Sequence, residues 1–244
     1  MIRQHLFDKR APADPMFRWR GGDVSRIEGL SDCVFAFALT LIVVSLEVPQ
    51  TVAELYAVLK TFPAFAICFI MLVSVWYHHY KFFRRFGLED VTTIVMNTVL
   101  LFVVLFYVYP LKFVFSSLLN AIFDLEGPRM GDSTLLDGRI LMTIYSVGVV
   151  LIFGMFALMH ARGVRMREQL ELDELEIYLS KTEIGSHLIT AGIAVVSVLL
   201  AWFGGRQGPF YAGIIYFVMG PAQAFWGFKR GGRAEKMQRE LFDA

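Results

Sequence analysis

The sequence predicts an all-α integral membrane protein with six transmembrane helices per subunit. Hydrophobic residues make up 56% of the chain and charged residues only 18%, against about 25% charged residues in ordinary soluble domains. The mean hydropathy is +0.55. Six apolar segments also approach the length of about 20 residues that a helix needs to cross the hydrocarbon core. Together these observations exclude an ordinary soluble domain.

The six predicted spans differ in length and regularity. The first is short, because residues 32–48 cover about 26 Å as a helix, just enough to cross the membrane. The third contains Pro110, which interrupts helical hydrogen bonding, so we expect this span to leave the membrane near Pro110 and to continue along the interface. The predicted spans are residues 30–48, 62–83, 91–119, 138–161, 184–204 and 209–228.

Basic residues predict the orientation of the chain. Most of the 23 lysines and arginines lie before the first span, after the second, after the fourth or after the sixth. Because cytoplasmic connections carry the excess of Lys and Arg, both termini are predicted to be cytoplasmic. The predicted organisation is a cytoplasmic N-terminal segment (1–29), a six-helix transmembrane domain (30–229) and a cytoplasmic C-terminal tail (230–244).

Two connections carry further charge. Residues 124–139 form the net acidic, external connection, which would attract cations weakly. Residues 165–183 are charged and predicted to be helical, which is typical of a cytoplasmic extension of a membrane helix. A regulatory docking segment is the alternative interpretation of that second stretch.

The first span begins with a polar pair, Ser31 and Asp32. An ionised Asp at the centre of a bilayer costs about 2.5–3.5 kcal/mol on insertion scales, so such a residue normally has a partner or lines a wet path. Arg26 lies six residues earlier on a different helix face, which favours partners on other helices for both charges. A simple N-terminal cap is the alternative role for Ser31 or Asp32.

The second span carries Trp76 and His79 near its cytoplasmic end, on the same membrane side as Asp32. We expect a histidine here to donate to Asp32 while the Trp76 indole N–H meets another acceptor. An interfacial aromatic belt is the alternative reading of Trp76. In the third span, Asn97 is expected to form hydrogen bonds between helices, as structural support.

The residues indicate neither a metal site nor catalysis. His78 and His79 point about 100° apart on a helix, and no third ligand has convincing spacing, so no metal is predicted. His160 and His187 are expected to be exposed to water at helix ends. No phosphate-binding loop and no catalytic set is present, so the chain is predicted to be no enzyme, to need no cofactor and to bind no nucleic acid.

Several motifs together resemble the first-helix signature of the transmembrane protein 175 (TMEM175) family, potassium channels marked by a Phe-Ser-Asp motif. The resemblance extends to Trp76-x-x-His79 in the second span and, more weakly, to Asp90, Asn97 and Pro110 around the third. The motifs of the first span are Arg26, Ser31-Asp32, Val34-Phe35-Ala36, Thr40-Leu41 and Leu46-Glu47-Val48-Pro49.

This resemblance implies a subunit of six helices, four of which assemble in bacterial members around a central pore lined by the first helix. It implies that apolar side chains form the pore constriction, here Phe37, Leu41 and Val44, whose spacings of four and three do share a helix face. Glu47 is a candidate for the outer pore mouth, where a ring of carboxylates would concentrate cations; an interfacial, solvated acid is the alternative. The implied polar network comprises Arg26, Ser31, Asp32, Trp76 and His79.

Three residues depart from the family pattern: Leu30 replaces Phe, Cys33 replaces Gly, and Phe37 replaces Ile. Four Phe37 rings around one axis would either close the pore or turn their faces to an ion as cation–π partners. Cation conduction therefore follows from the resemblance, whereas selectivity for potassium depends on what Phe37 does.

The resulting hypothesis is a homotetrameric cation channel, most simply for potassium or another monovalent cation, in the lipid bilayer of the bacterial cytoplasmic (inner) membrane. One alternative is a proton-coupled transporter or proton leak that uses Asp32 and His79 as a relay. Another is a non-conducting membrane scaffold whose pore is sealed by Phe37.

Overall fold

The computed structural model describes residues 14–44, 49–123 and 134–243. Within these residues the protein contains helices and no strands. Two short 3₁₀ turns, Gly205–Gln207 and Ile215–Val218, precede and follow the helix Gly208–Ile214. The helices are α1 (Arg26–Val44), α2 (Val52–Lys60), α3 (Phe62–Phe86), α4 (Val91–Phe123), α5 (Leu135–Arg165), α6 (Glu174–Phe203), α7 (Gly208–Ile214) and α8 (Met219–Asp243).

Local sequence signals set several of these helix ends. Helix α5 begins with a capping box, in which Thr134 and Asp137 satisfy each other's backbone N–H groups, and α6 begins with the same arrangement of Asp173 and Glu176. Helix α3 ends at Phe86 and is capped by Gly87, which adopts a left-handed φ of 59°, a conformation that glycine accepts without the steric cost of a Cβ atom. These caps satisfy backbone groups that the helix itself leaves unpaired.

Four of the six predicted spans are confirmed as helices long and apolar enough to cross a membrane: Phe62–Phe86, Val91–Asn120, Leu135–Arg165 and Glu174–Phe203. Helix α1 has 19 residues and carries Arg26, Glu28 and Asp32 in its first two turns. The last predicted span is divided among α7, a 3₁₀ turn and α8. The total of six spans, the orientation of the termini and the proposed domain boundaries stay predictions.

The structure corrects one expectation about helix boundaries and leaves another as a prediction. Helix α4 continues through Pro110 to Phe123, in line with the tolerance of membrane helices for proline when neighbouring groups replace the lost hydrogen bond; that this span leaves the membrane near Pro110 stays a prediction. The charged stretch 165–183 is not one helical extension. Helix α5 ends at Arg165, turns follow, and α6 begins at Glu174. The short helix α2 was not predicted.

The packing places α1 against α3 and α4, while α5 and α6 form the most extensive helix pair. Close approach depends on small residues at two points. A Cβ atom on Gly148 of α5 would lie 2.1 Å from the Tyr107 ring of α4, and one on Gly163 would lie 2.5 Å from the Phe86 ring of α3. Glycine at these positions therefore allows α5 to pack closely against both neighbours.

Candidate functional site

Helix α1 has two different faces. Ser31, Phe35, Ala38 and Ile42 are buried against the rest of the subunit, and their spacings of four, three and four place them on one side of a helix. Five residues between them are exposed, and the side chain of Phe37 is 57% exposed; the five are Asp32, Cys33, Ala36, Phe37 and Thr40. One face thus fixes the helix in the subunit, and the other has no cover within the described chain.

A chain of three buried polar side chains holds the inner face of α1; we call it the anchor chain (Ser31, Asn97 and His79). Asn97 Nδ2 donates to Ser31 Oγ at 2.9 Å, and Asn97 Oδ1 lies 2.9 Å from His79 Nε2. Because an amide oxygen only accepts, His79 Nε2 carries the proton in this bond. Ser31 Oγ in turn donates to the Ile27 carbonyl at 2.7 Å. These bonds offset the cost of burying polar groups.

Asp32 lies beside the anchor chain but not in it. The Trp76 Nε1–H group donates to Asp32 Oδ1 at 2.8 Å, and the Trp76 ring stacks on Tyr80 with centroids 5.6 Å apart. The expected pairing was therefore wrong in detail, since Trp76 rather than His79 binds the carboxylate. The reason is geometric: Ser31 faces the interior, so the next residue points about 100° away, toward the edge where Trp76 lies.

Asn97 was predicted to act between helices, and the structure confirms this. It contacts both α1 and α3 from α4 and is 1% exposed. Its importance was underestimated, because it connects Ser31 to His79, which had been expected to donate to Asp32. An amide side chain near the start of a long apolar span was the sequence signal.

Arg26 is exposed in the first turn of α1 and forms no ion pair within the part of the chain that the structure describes. The buried cations at this end are Arg84 and Arg85. Arg84 pairs with Glu28 of α1, and Arg85 Nε lies 2.7 Å from a carboxylate oxygen of Asp14. Neither these arginines nor Glu28 were among the predicted site residues.

The segment before α1 is also bound to the ends of other helices. Phe17 is fully buried, and the Arg20 guanidinium lies 2.5 Å from a carboxylate oxygen of Glu176 at the start of α6. The backbone N–H groups of Arg20 and Gly21 both donate to the Arg84 carbonyl, at 3.0 and 3.1 Å. Residues 14–25 thus connect α1 to α3 and α6.

Asp90, just before α4, forms a further ion pair with Arg162 of α5. Partial burial alone would raise the pKa of this carboxyl, but hydrogen bonds from Thr93 and Arg162 outweigh it and hold the pKa below its ordinary value. Asp90, which carries part of the weaker family resemblance, therefore connects the start of α4 to the end of α5.

The predicted constriction residues lie on the outer part of α1 to different extents. Phe37 is exposed, and Leu41 is half-buried and packs partly against the core. The side chain of Val44 lies outside the described residues, as does Glu47. Thr40, which was not selected as a site residue, is exposed three residues after Phe37, and its hydroxyl donates to the Ala36 carbonyl at 2.9 Å.

Comparisons with known proteins agree with the resemblance seen in the motifs. Residues 26–107 match the family model described as the endosomal/lysosomal potassium channel TMEM175. A potassium channel of Marivirga tractuosa is 35% identical over 231 residues, covering 91% of this chain and 94% of that protein. A potassium channel of Chamaesiphon minutus is 33% identical over 96 residues, covering 36% of this chain and 47% of that protein.

A solved structure extends the agreement to the fold. The crystal structure of a variant of the potassium channel MtTMEM175, in complex with a nanobody–MBP fusion protein, matches with a TM-score of 0.79 and 35% identity. The match covers 90% of this chain and 98% of that one. The expectation that the chain is not an enzyme is confirmed by these relatives. The chain is an integral membrane protein that belongs to the TMEM175 family.

Proposed function

We propose that this protein is a homotetrameric potassium channel of the bacterial inner membrane, with a central pore lined by the outer face of α1. The observation that carries the proposal is the division of α1 into two faces. The inner face is held by the anchor chain, while the outer face presents Cys33, Phe37 and Thr40 without cover from the described subunit. The choice of potassium as the conducted ion rests on the relatives named as potassium channels.

Four copies of this outer face around one axis would form an apolar constriction. Phe37 and Leu41 would contribute successive layers, with Val44 one turn further on. Hydrophobic constrictions control ion passage by dewetting, and an ion must lose hydration water to pass. Thr40 adds a hydroxyl oxygen near Phe37, which gives a partly dehydrated cation an oxygen ligand.

Arg26 completes the proposed network between subunits. Arg26 and Asp32 are both exposed, and the bond from Trp76 is made to only one oxygen of Asp32. An arginine from a neighbouring subunit would reach the other oxygen or another acid at the same interface. Glu47 is proposed for the outer mouth of the pore, where four carboxylates would concentrate cations.

The hydrogen bonds favour conduction over a proton relay. His79 Nε2 donates to Asn97 rather than to Asp32, and Asp32 accepts from an indole N–H that does not titrate. Asp32 and His79 therefore have no direct hydrogen bond within the described chain. Their role in this proposal is to fix the orientation of α1.

The test is cation flux through the purified protein in liposomes, driven by a potassium gradient and compared with sodium and with empty vesicles. We expect potassium flux above sodium flux from a protein that is tetrameric by mass in mild detergent. We expect Phe37→Ala to change the potassium-to-sodium ratio. Phe102→Ala is the matched control, because Phe102 is 70% exposed on α4 rather than on α1, and it should leave the ratio unchanged.

Three results would contradict the proposal. Flux that appears only in Phe37→Ala would indicate a sealed scaffold. Proton flux that dominates and disappears in Asp32→Asn, with the tetramer intact, would indicate the relay. A wild-type monomer or dimer would exclude the central pore.

A further inference from the structure

A second polar cluster lies on another side of α3, away from the anchor chain. We call it the histidine cluster (His78, His160, Glu183 and His187), and it joins α3, α5 and α6. His160 and His187, expected to be exposed, are instead 2% and 1% exposed. The His187 ring centroid lies 5.0 Å from that of His78 and 5.2 Å from that of His160. Phe153 and Phe156 pack around these rings.

Three members of the cluster bring potential metal ligands together. One ligand atom each from His78, Glu183 and His187 lies within 4.8 Å of the other two. Glu183 and His187 are four residues apart on α6, so they share a helix face, while His78 approaches from α3. The sequence analysis considered His78 together with His79, whereas the structure brings His78 together with two residues of α6.

Two histidine nitrogens of the cluster are not satisfied by the described residues. His187 Nε2 and His160 Nε2 are buried and have no hydrogen-bond partner among the described residues. His160 Nδ1 donates to the Phe156 carbonyl at 2.9 Å, which leaves a lone pair on its Nε2 when the ring is neutral. Buried polar atoms without partners cost stability and are rare, so these nitrogens are candidates for binding a ligand.

The charges around Glu183 are balanced and do not repel a further cation. Its Oε1 atom accepts from Lys81 at 2.6 Å and from Arg85 at 3.3 Å, and no bond to Oε2 is made within the described residues. Asp14 also pairs with Arg85. Two cations and two carboxylates balance one another, so the cluster is not a net positive barrier to a metal ion.

We propose that His78, Glu183 and His187 form a binding site for a transition-metal ion of the Zn²⁺ class, with water as the fourth ligand. Two imidazoles and one carboxylate are a ligand set that zinc uses, whereas Mg²⁺ and Ca²⁺ prefer oxygen ligands. Ligand atoms around tetrahedral zinc lie about 3.4 Å apart, so side-chain rotations must bring the three groups closer. The ion would join α3 to α6, and this proposal does not depend on conduction.

Isothermal titration of the purified full-length protein in detergent, free of a polyhistidine tag, tests the site with Zn²⁺ and then Mg²⁺. The chain has only five histidines, which limits competing sites. We expect about one bound zinc per subunit, a rise in melting temperature with zinc, and no comparable effect of Mg²⁺. Bound Co²⁺ should show the visible absorption bands of a tetrahedral nitrogen and oxygen site.

Three matched phenylalanine variants identify the ligands. His78→Phe and His187→Phe keep an aromatic ring in an aromatic pocket and should weaken zinc binding at least about 100-fold, more than the loss of an outer-shell partner typically does. His160→Phe is the control, because His160 lies outside the group of three ligand atoms, and it should retain zinc binding. Melting of each metal-free variant checks that it has folded.

Equal loss of zinc affinity in all three variants would overturn this ligand assignment. Unchanged zinc binding in His78→Phe and His187→Phe, both folded, would place the metal elsewhere and overturn the site. Absence of zinc binding to the wild-type protein would also overturn it.

Discussion

His78 and His79 are neighbours on α3, yet they belong to polar clusters of opposite character. His79 ends the anchor chain, in which each member is hydrogen bonded to the next. His78 belongs to the histidine cluster, where two buried imidazole nitrogens have no partner among the described residues and Glu183 pairs with two cations. The rotation of about 100° between adjacent helical residues separates these two environments.

The comparison shows how a membrane protein uses buried polarity in two ways. The continuous hydrogen bonds of the anchor chain rigidify the contact between α1, α3 and α4, because breaking one of them leaves a buried polar group with one partner fewer. An incompletely bonded cluster costs stability in the folded protein and retains the capacity to bind something else. The same substitution should therefore have opposite effects on the two sides of α3.

The largest expected effect is at the centre of the anchor chain. Asn97→Leu removes the partner of both Ser31 and His79, and each buried group that loses its partner costs about 1–3 kcal/mol. We expect a loss of about 3 kcal/mol in the free energy of unfolding, measured in mixed micelles. Thr98→Val is the control, since the exposed Thr98 hydroxyl donates only to the Ile94 carbonyl of its own helix; a similar loss in both variants would contradict the role of the chain.

A paired substitution tests the contrast itself. His79→Phe should lower the free energy of unfolding by about 2 kcal/mol, because it leaves the Asn97 oxygen without its donor. His187→Phe, in metal-free protein, should be neutral or stabilising, because it removes an unpaired nitrogen while keeping the ring. Thermal melts with a chelator provide the measurement, and an equal loss in the two variants would remove the distinction between the clusters.

A smaller effect is expected at the edge of the anchor chain. Trp76→Phe removes the indole N–H that binds the exposed Asp32 carboxylate, and a bond of this kind to a partly solvated group contributes about 0.5–1.5 kcal/mol. The free energy of unfolding should fall by about that amount, less than in His79→Phe. A greater loss than in His79→Phe would show that Asp32, rather than Ser31, determines the position of α1.

The sequence predicted the helical class and four spans because long apolar segments directly reflect burial in lipid. It did not predict how the segment before α1 folds, since the contacts of Phe17 and Arg20 depend on the distant residues Arg85 and Glu176. It also treated residues 165–183 as one helical extension, where turns separate α5 from α6. Local propensity therefore described the elements better than their boundaries.

The candidate site was predicted unevenly for a similar reason. Ser31, Asp32, Trp76, His79 and Asn97 were identifiable as polar residues in apolar helices, but their pairing depends on how each helix is rotated about its axis, which spacing within a single helix does not fix. The histidine cluster was missed because its ligands come from different helices. The i, i+4 spacing of Glu183 and His187 on α6 was the available signal.

The smallest expected effect concerns the ion pair between Asp90 and Arg162, which lies outside both clusters. Interactions with Thr93 and Arg162 lower the pKa of Asp90 in the folded protein, so its contribution to stability is complete above the ordinary carboxyl pKa and is lost as pH falls through the lowered value. Asp90→Asn should therefore reduce the melting temperature slightly at pH 7, with the difference from wild type disappearing under strongly acidic conditions. Melting curves of both proteins across this pH range provide the measurement. A difference that persists when Asp90 is protonated would show that its hydrogen bonds, rather than its charge, hold α4 against α5.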